Sequence, residues 1–167
     1  MSDPTPAQAL LLLFVALAAA TDLARRKIPN LLVMLGLGAA LAISLPRGAG
    51  LVCLAGALTG FLLFLPLYLM RGMAAGDVKL MAMVGAFAGP ALTLQIACAT
   101  CLIGGVMALG IVLYRGRLRD AVANVCGLLA PWLPELAAPA PGPSVGGMPY
   151  GVAIALGTLM LVLWQLR

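Results

Sequence analysis

The chain carries five carboxylates, and two of them stand where apolar segments end or begin: Asp22 in TDLARRKIPN at 21–30 and Asp77 in AAGDVKL at 74–80. An ionisable side chain beside a membrane-length apolar run is costly unless it is paired or functional. The chain has no histidine, so general-base chemistry falls to carboxylates. Two aspartates that share a proton can activate a water molecule and protonate a leaving group, because like charge and partial desolvation keep one member of such a pair protonated near neutral pH. A dyad of this kind hydrolyses a peptide bond without a covalent intermediate. The other acidic residues, Asp3, Asp120 and Glu135, fall in segments expected to be solvated. A plainer use also exists. Asp22 has Arg25 and Arg26 at helical pairing distance, whereas Asp77 and Lys79, two residues apart, would not face one another on a helix. Asp77 could also cap its helix, where a carboxylate is favoured. Spacing alone leaves these uses open beside the catalytic one.

The elements that must position the two aspartates follow from composition. Mean hydropathy is +1.13 and only 9% of residues are charged, against about 25% in soluble domains. Repeated apolar runs approach the roughly 20 residues that a helix needs to cross a bilayer. The expected fold is therefore all-α: a single domain over 1–167 forming a polytopic transmembrane helical bundle, with spans near 7–23, 30–46, 50–70, 77–90, 92–114 and 148–166. PRG at 46–48 and GP at 89–90 supply breaks, since proline ends a helix and glycine permits a turn. The fourth span is short and is expected to be partly shielded by its neighbours or to begin deeper in the membrane.

Alternating these spans puts Arg25, Arg26, Lys27, Arg71, Lys79, Arg115, Arg117 and Arg119 on one face and only Arg47 and Arg167 on the other. The positive-inside rule makes the crowded face cytoplasmic and leaves the N-terminus outside. Two spans separate Asp22 from Asp77, so both are expected at the same membrane face whichever orientation holds. The first apolar run lacks the leading positive charge of a secretory signal and is read as a retained span. The net charge of +5 comes from short basic clusters between apolar runs, a pattern that fits topology and anionic lipid rather than nucleic acid. Leu118, Val122, Val125, Leu129 and Trp132 recur at alternating four- and three-residue steps, as on one face of a short amphipathic cytoplasmic helix. PELAAPAPGPSVGGMP, after it, is expected to be a mobile loop. Cys98 and Cys101 form a CxxC, but with no histidine and no second CxxC they read as small apolar residues packed in a helix, not as a metal site. No metal or cofactor is expected.

Three segments together resemble the type IV prepilin peptidases, membrane-embedded aspartic proteases of the GxGD class. Asp22 followed by RRKIPN is similar to that family's aspartate, basic residue and Ile-Pro-Asn. GDVKL at 76–80 is similar to its GxGDxKL, and MPYGVAIALG at 148–157 to its Pro-Tyr-Gly segment on the last helix. The order matches, and the resemblance runs from about residue 7 through the chain. It implies that Asp22 and Asp77 are the catalytic dyad and that the substrate is a prepilin: a short basic leader, a cleavage site after glycine, then an apolar helix. It places cleavage at the cytoplasmic face of the bacterial inner membrane. It further implies that Gly76 lets backbone approach the substrate strand, that Lys79 orients the dyad or meets lipid phosphate, that Asn30 caps the second span, and that Pro149, Tyr150 and Gly151 shape the site.

Two departures stand out. Ala74 occupies the first glycine of the motif, which matters if that position needs a positive φ and not if glycine serves only close approach. The N-terminal cytoplasmic insertion with paired CxxC motifs that longer members carry has no room in this chain, so the chain resembles the short form of Tad/Flp-type pilus systems and no methylation is expected. A basic leader meeting a basic face leaves the two aspartates and anionic lipid to supply negative charge. Two other functions would use the same residues. One is a small cation transporter or channel subunit relaying ions through Asp22 and Asp77, although no internal repeat is visible. The other is an inactive pilus-assembly protein, with Ala74 as its symptom.

Overall fold

The computed structural model describes residues 5–70, 72–116, 119, 122 and 150–166. The expected amphipathic helix near 118–132 and the loop after it lie outside the described residues, apart from isolated positions, as do Arg71, Asp120, Glu135 and Pro149.

Five helices make up the described chain: α1 (Pro6–Arg25), α2 (Asn30–Ser44), α3 (Gly50–Leu69), α4 (Ala75–Tyr114) and α5 (Tyr150–Gln165). The all-α expectation holds among the described residues, and three of the five helices are long and apolar enough to cross a membrane. The segments expected at 77–90 and 92–114 are the two limbs of α4, separated where expected by Gly89, which is non-helical at φ 74° and ψ 169°. Only glycine enters that backbone region without strain. Pro90 follows as the first residue of the second limb, where its missing N–H would have had no helical partner anyway, so the expected break stands as a kink between two helical limbs. The Thr93 hydroxyl donates to the Gly89 carbonyl and secures the junction. α1, α3 and α4 are long and apolar enough to cross a membrane, whereas α2 and α5 are shorter apolar helices.

Two compact units divide the chain. The first comprises residues 1–104 and 149–167; the second, 105–148, is described mainly through the end of α4 and the turn at Arg115 and Gly116. In the first unit α1 packs along α5 and against α2, and α2 packs against α3. The first limb of α4 is the centre: Val78 and the whole run Leu80–Ala86 are buried, as the expectation of a shielded short span required. α3 comes close to it where Gly56 lies against the Gly85 backbone, the small-residue contact that lets membrane helices approach without a hydrophobic driving force. Leu11, Val15, Ile96, Ile154 and Val162 complete the core. Cys53 is buried, but Cys98 and Cys101 are exposed on α4. Apolar side chains on an outward helix face are normal where the surroundings are hydrocarbon, so the packed reading of these two is corrected.

Candidate active site

Asp22 belongs to the buried stripe of α1. Leu11, Val15, Ala18 and Asp22 are its buried residues, at steps of four, three and four, so the carboxylate points where the preceding apolar side chains point. α1 ends four residues later with Arg26 as a left-handed cap, φ 51°, whose backbone N–H donates to the Asp22 carbonyl. Asp22 is only 7% exposed. Its Oδ2 accepts a hydrogen bond from the backbone N–H of Gly151 at 2.9 Å.

That donor lies in the first turn of α5, where helical N–H groups have no partner within the helix and the helix dipole favours negative charge. The approach depends on glycine. A Cβ added to Gly151 would sit 2.8 Å from Asp22 Oδ2 and 3.1 Å from its Cγ, so any side chain there displaces the carboxylate.

Asp77 is 4% exposed, in the first turn of α4. Its Oδ2 accepts from the Ala74 N–H at 3.1 Å, while its own N–H donates to the Ala74 carbonyl at 3.1 Å. The carboxylate reaching back to the N–H three residues before it is one half of a capping box, so Asp77 caps its own helix. Asp77 and Asp22 are near enough to interact electrostatically, and Tyr150, at the start of α5, is within the same reach of Asp77. Neither carboxylate pairs with a cation among the described residues. The plain reading in which Asp22 pairs with Arg25 or Arg26, and Asp77 with Lys79, is therefore not what the structure contains. Each carboxylate takes one backbone donor, although a carboxylate offers about four acceptor positions.

The other residues singled out from sequence fall around this pair. Lys79 is exposed and its Nζ donates to Asn30 Oδ1 at 3.1 Å; it is not directed at the dyad. Asn30 does not cap α2: Pro29 is the N-cap, without a side-chain hydrogen bond, and the Asn30 amide oxygen is taken up by Lys79. Gly76 is half-buried, and a Cβ there would make only ordinary contact with Ile28, at 3.4 Å. Tyr150 is half-buried and Gly151 fully buried. Ala74 is exposed and does not have a positive φ, so alanine is accommodated without backbone strain.

Ile28 and the Ala74 N–H are the participants that residue type did not single out. Ile28 lies inside the quoted RRKIPN and seats that segment against Gly76. A backbone donor such as Ala74 N–H leaves no trace in side-chain chemistry. The three sequence segments thus meet in pairs: Ile28 on Gly76, Asn30 on Lys79, Asp22 on Gly151. Among the described residues no group of histidine, cysteine and acidic side chains is placed to hold a metal ion.

Apolar helices that bury one carboxylate near the end of α1 and another at the start of α4 define a membrane protein with two acidic side chains at its helix ends. The sequence matches the type IV leader peptidase family over residues 9–109, and the chain belongs to that family. A general peptidase role follows from the membership. No curated protein and no solved structure matches the chain.

Proposed function

We propose that the protein is a membrane-embedded aspartic endopeptidase that removes the short basic leader of Flp/Tad-type prepilins at the cytoplasmic face of the bacterial inner membrane, with Asp22 and Asp77 as its dyad. The observation that carries this reading is the burial of two carboxylates at helix ends. Asp22 and Asp77, from separate helices, are both buried and pair with no cation among the described residues, and Asp22 is held by the Gly151 N–H at 2.9 Å.

One carboxylate takes a proton from water as the water oxygen bonds to the scissile carbonyl carbon. The other, protonated, hydrogen-bonds the carbonyl oxygen as it gains charge. The tetrahedral species collapses with proton transfer to the leaving nitrogen, the C–N bond breaks, and the pair again shares a single proton. The two steps belong to the dyad as a coupled unit, so acid and base are not assigned to one residue each. Gly151 positions Asp22; Tyr150 stands beside Asp77 where a substrate strand would pass. Sidedness comes from the eight-against-two distribution of basic residues.

The test is cleavage of a prepilin in proteoliposomes. Wild type releases the leader, and Asp22→Asn or Asp77→Asn each lowers the rate on the order of 10³-fold or more. Proton uptake by liposomes that hold the wild type, lost in the same variants and without any cleavage, would instead establish the ion-relay function.

A further inference from the structure

A groove of about 330 Å³ opens between α2, α3 and the first limb of α4, lined by Asn30, Val33, Met34, Leu37, Phe61, Lys79 and Ala82. Its α2 wall, residues 30, 33, 34 and 37, follows the three- and four-residue steps of a single helix face. Its floor is apolar. The polar groups of its lining are Lys79 and Asn30, joined at 3.1 Å. From Asn30 to Leu37 the groove follows α2 for about 10 Å at 1.5 Å per residue.

Two features decide what it holds. Asp77 is buried while Lys79, two residues on, is exposed; two steps on a helix turn a side chain through about 200°, so the groove lies on the far side of α4 from Asp77. An occupant here is not threaded past the dyad. The charged residue of the lining is also a cation, Lys79, whose partner is neutral, and the exposed Arg25, Arg26 and Lys27 precede α2 in sequence. A basic leader is repelled here, whereas an anionic head on an apolar tail is complementary at both ends.

We infer that the groove binds one anionic phospholipid. The Lys79 ammonium, with one of its three protons given to Asn30 Oδ1, directs the other two to phosphate oxygens, and the Asn30 amide NH₂ adds a neutral donor. The acyl chain lies along Val33, Met34, Leu37 and Phe61. Bound there, the lipid phosphate offsets positive charge at the end of the molecule where the dyad lies, and so lessens the repulsion that a basic leader meets.

Native mass spectrometry of the full chain in neutral detergent tests this, with dioleoylphosphatidylglycerol and dioleoylphosphatidylcholine as probes. The wild type is expected to bind the anionic lipid about five-fold more tightly, the worth of one lysine at a lipid surface. Lys79→Ala abolishes the preference, Lys79→Arg keeps it, and Leu37→Trp, which fills the groove, weakens both lipids. Arg47→Ala, remote from the groove in sequence and lining, leaves the preference intact. Equal binding of the two lipids by the wild type overturns the inference, as does an unchanged preference in folded Lys79→Ala protein. So does displacement of the lipid by millimolar inorganic phosphate, which would make the site one for free anions, or by an apolar helical peptide, which would make it a substrate groove. The readout involves no hydrolysis, so its failure leaves the peptidase proposal standing, and loss of peptidase activity leaves this one standing.

Discussion

At the scale of single residues, the site depends on how closely α5 can approach one carboxylate. With Gly151→Ala, the new Cβ would fall 2.8 Å from Asp22 Oδ2, and either the carboxylate or the helix must move. Displacements of about 1 Å in a catalytic group cost on the order of 10²-fold in rate, while overpacking at one position costs about 1–3 kcal/mol. Gly151→Ala is therefore expected to lose about two orders of magnitude in leader release while the purified protein still unfolds cooperatively on heating; initial rates and a thermal melt in detergent check the two halves. Ala74 makes the opposite case. It is exposed and free of positive φ, so Ala74→Gly is expected to change cleavage less than about two-fold, since the two residues differ here only by a small backbone-entropy effect. A large gain in activity would show that alanine is a defect.

The sequence made the two aspartates legible because charge beside hydrocarbon is conspicuous. It did not reveal what holds them. The Gly151 and Ala74 donors are backbone groups, and the Asp22–Gly151 contact joins residues 129 apart, which no local periodicity encodes. The Lys79–Asn30 bond was hidden likewise, and Asn30 was assigned a capping role that Pro29 occupies.

At the scale of elements, apolar runs and their breaks located every described helix within a few residues. The Gly-Pro break in α4 was legible too: Gly89 leaves the helical region and Pro90 opens the second limb at a first helical position. The end of α1 is less comfortable. Arg26 is the one non-glycine residue with positive φ among those described, and an L-residue pays about 1–2 kcal/mol for that conformation. Arg26→Gly is thus expected to raise the unfolding free energy by up to about 1 kcal/mol, visible as a higher midpoint in denaturant-dependent unfolding in mixed micelles. A fall in the midpoint would mean that the arginine side chain contributes more than its backbone costs.

At the scale of the whole molecule, the proposed function puts the two aspartates on the cytoplasmic side, as the distribution of basic residues predicts. In a background with the four native cysteines replaced, Arg47→Cys is expected to react with an impermeant maleimide added outside spheroplasts, and Lys27→Cys only after the membrane is opened. Labelling in the reverse order would invert the orientation and put the dyad on the wrong side for a cytoplasmic leader.

The central claim is that Asp22 and Asp77 act as one unit. Leader release from a prepilin, measured as initial rates for wild type, Asp22→Asn, Asp77→Asn and the double variant, tests it most directly. Groups that work as a unit are strongly non-additive. The account predicts that each single variant falls on the order of 10³-fold or more, with the double no slower than the worse single. Folded single variants that keep a sizeable part of the wild-type rate, or two losses that multiply in the double, would contradict it.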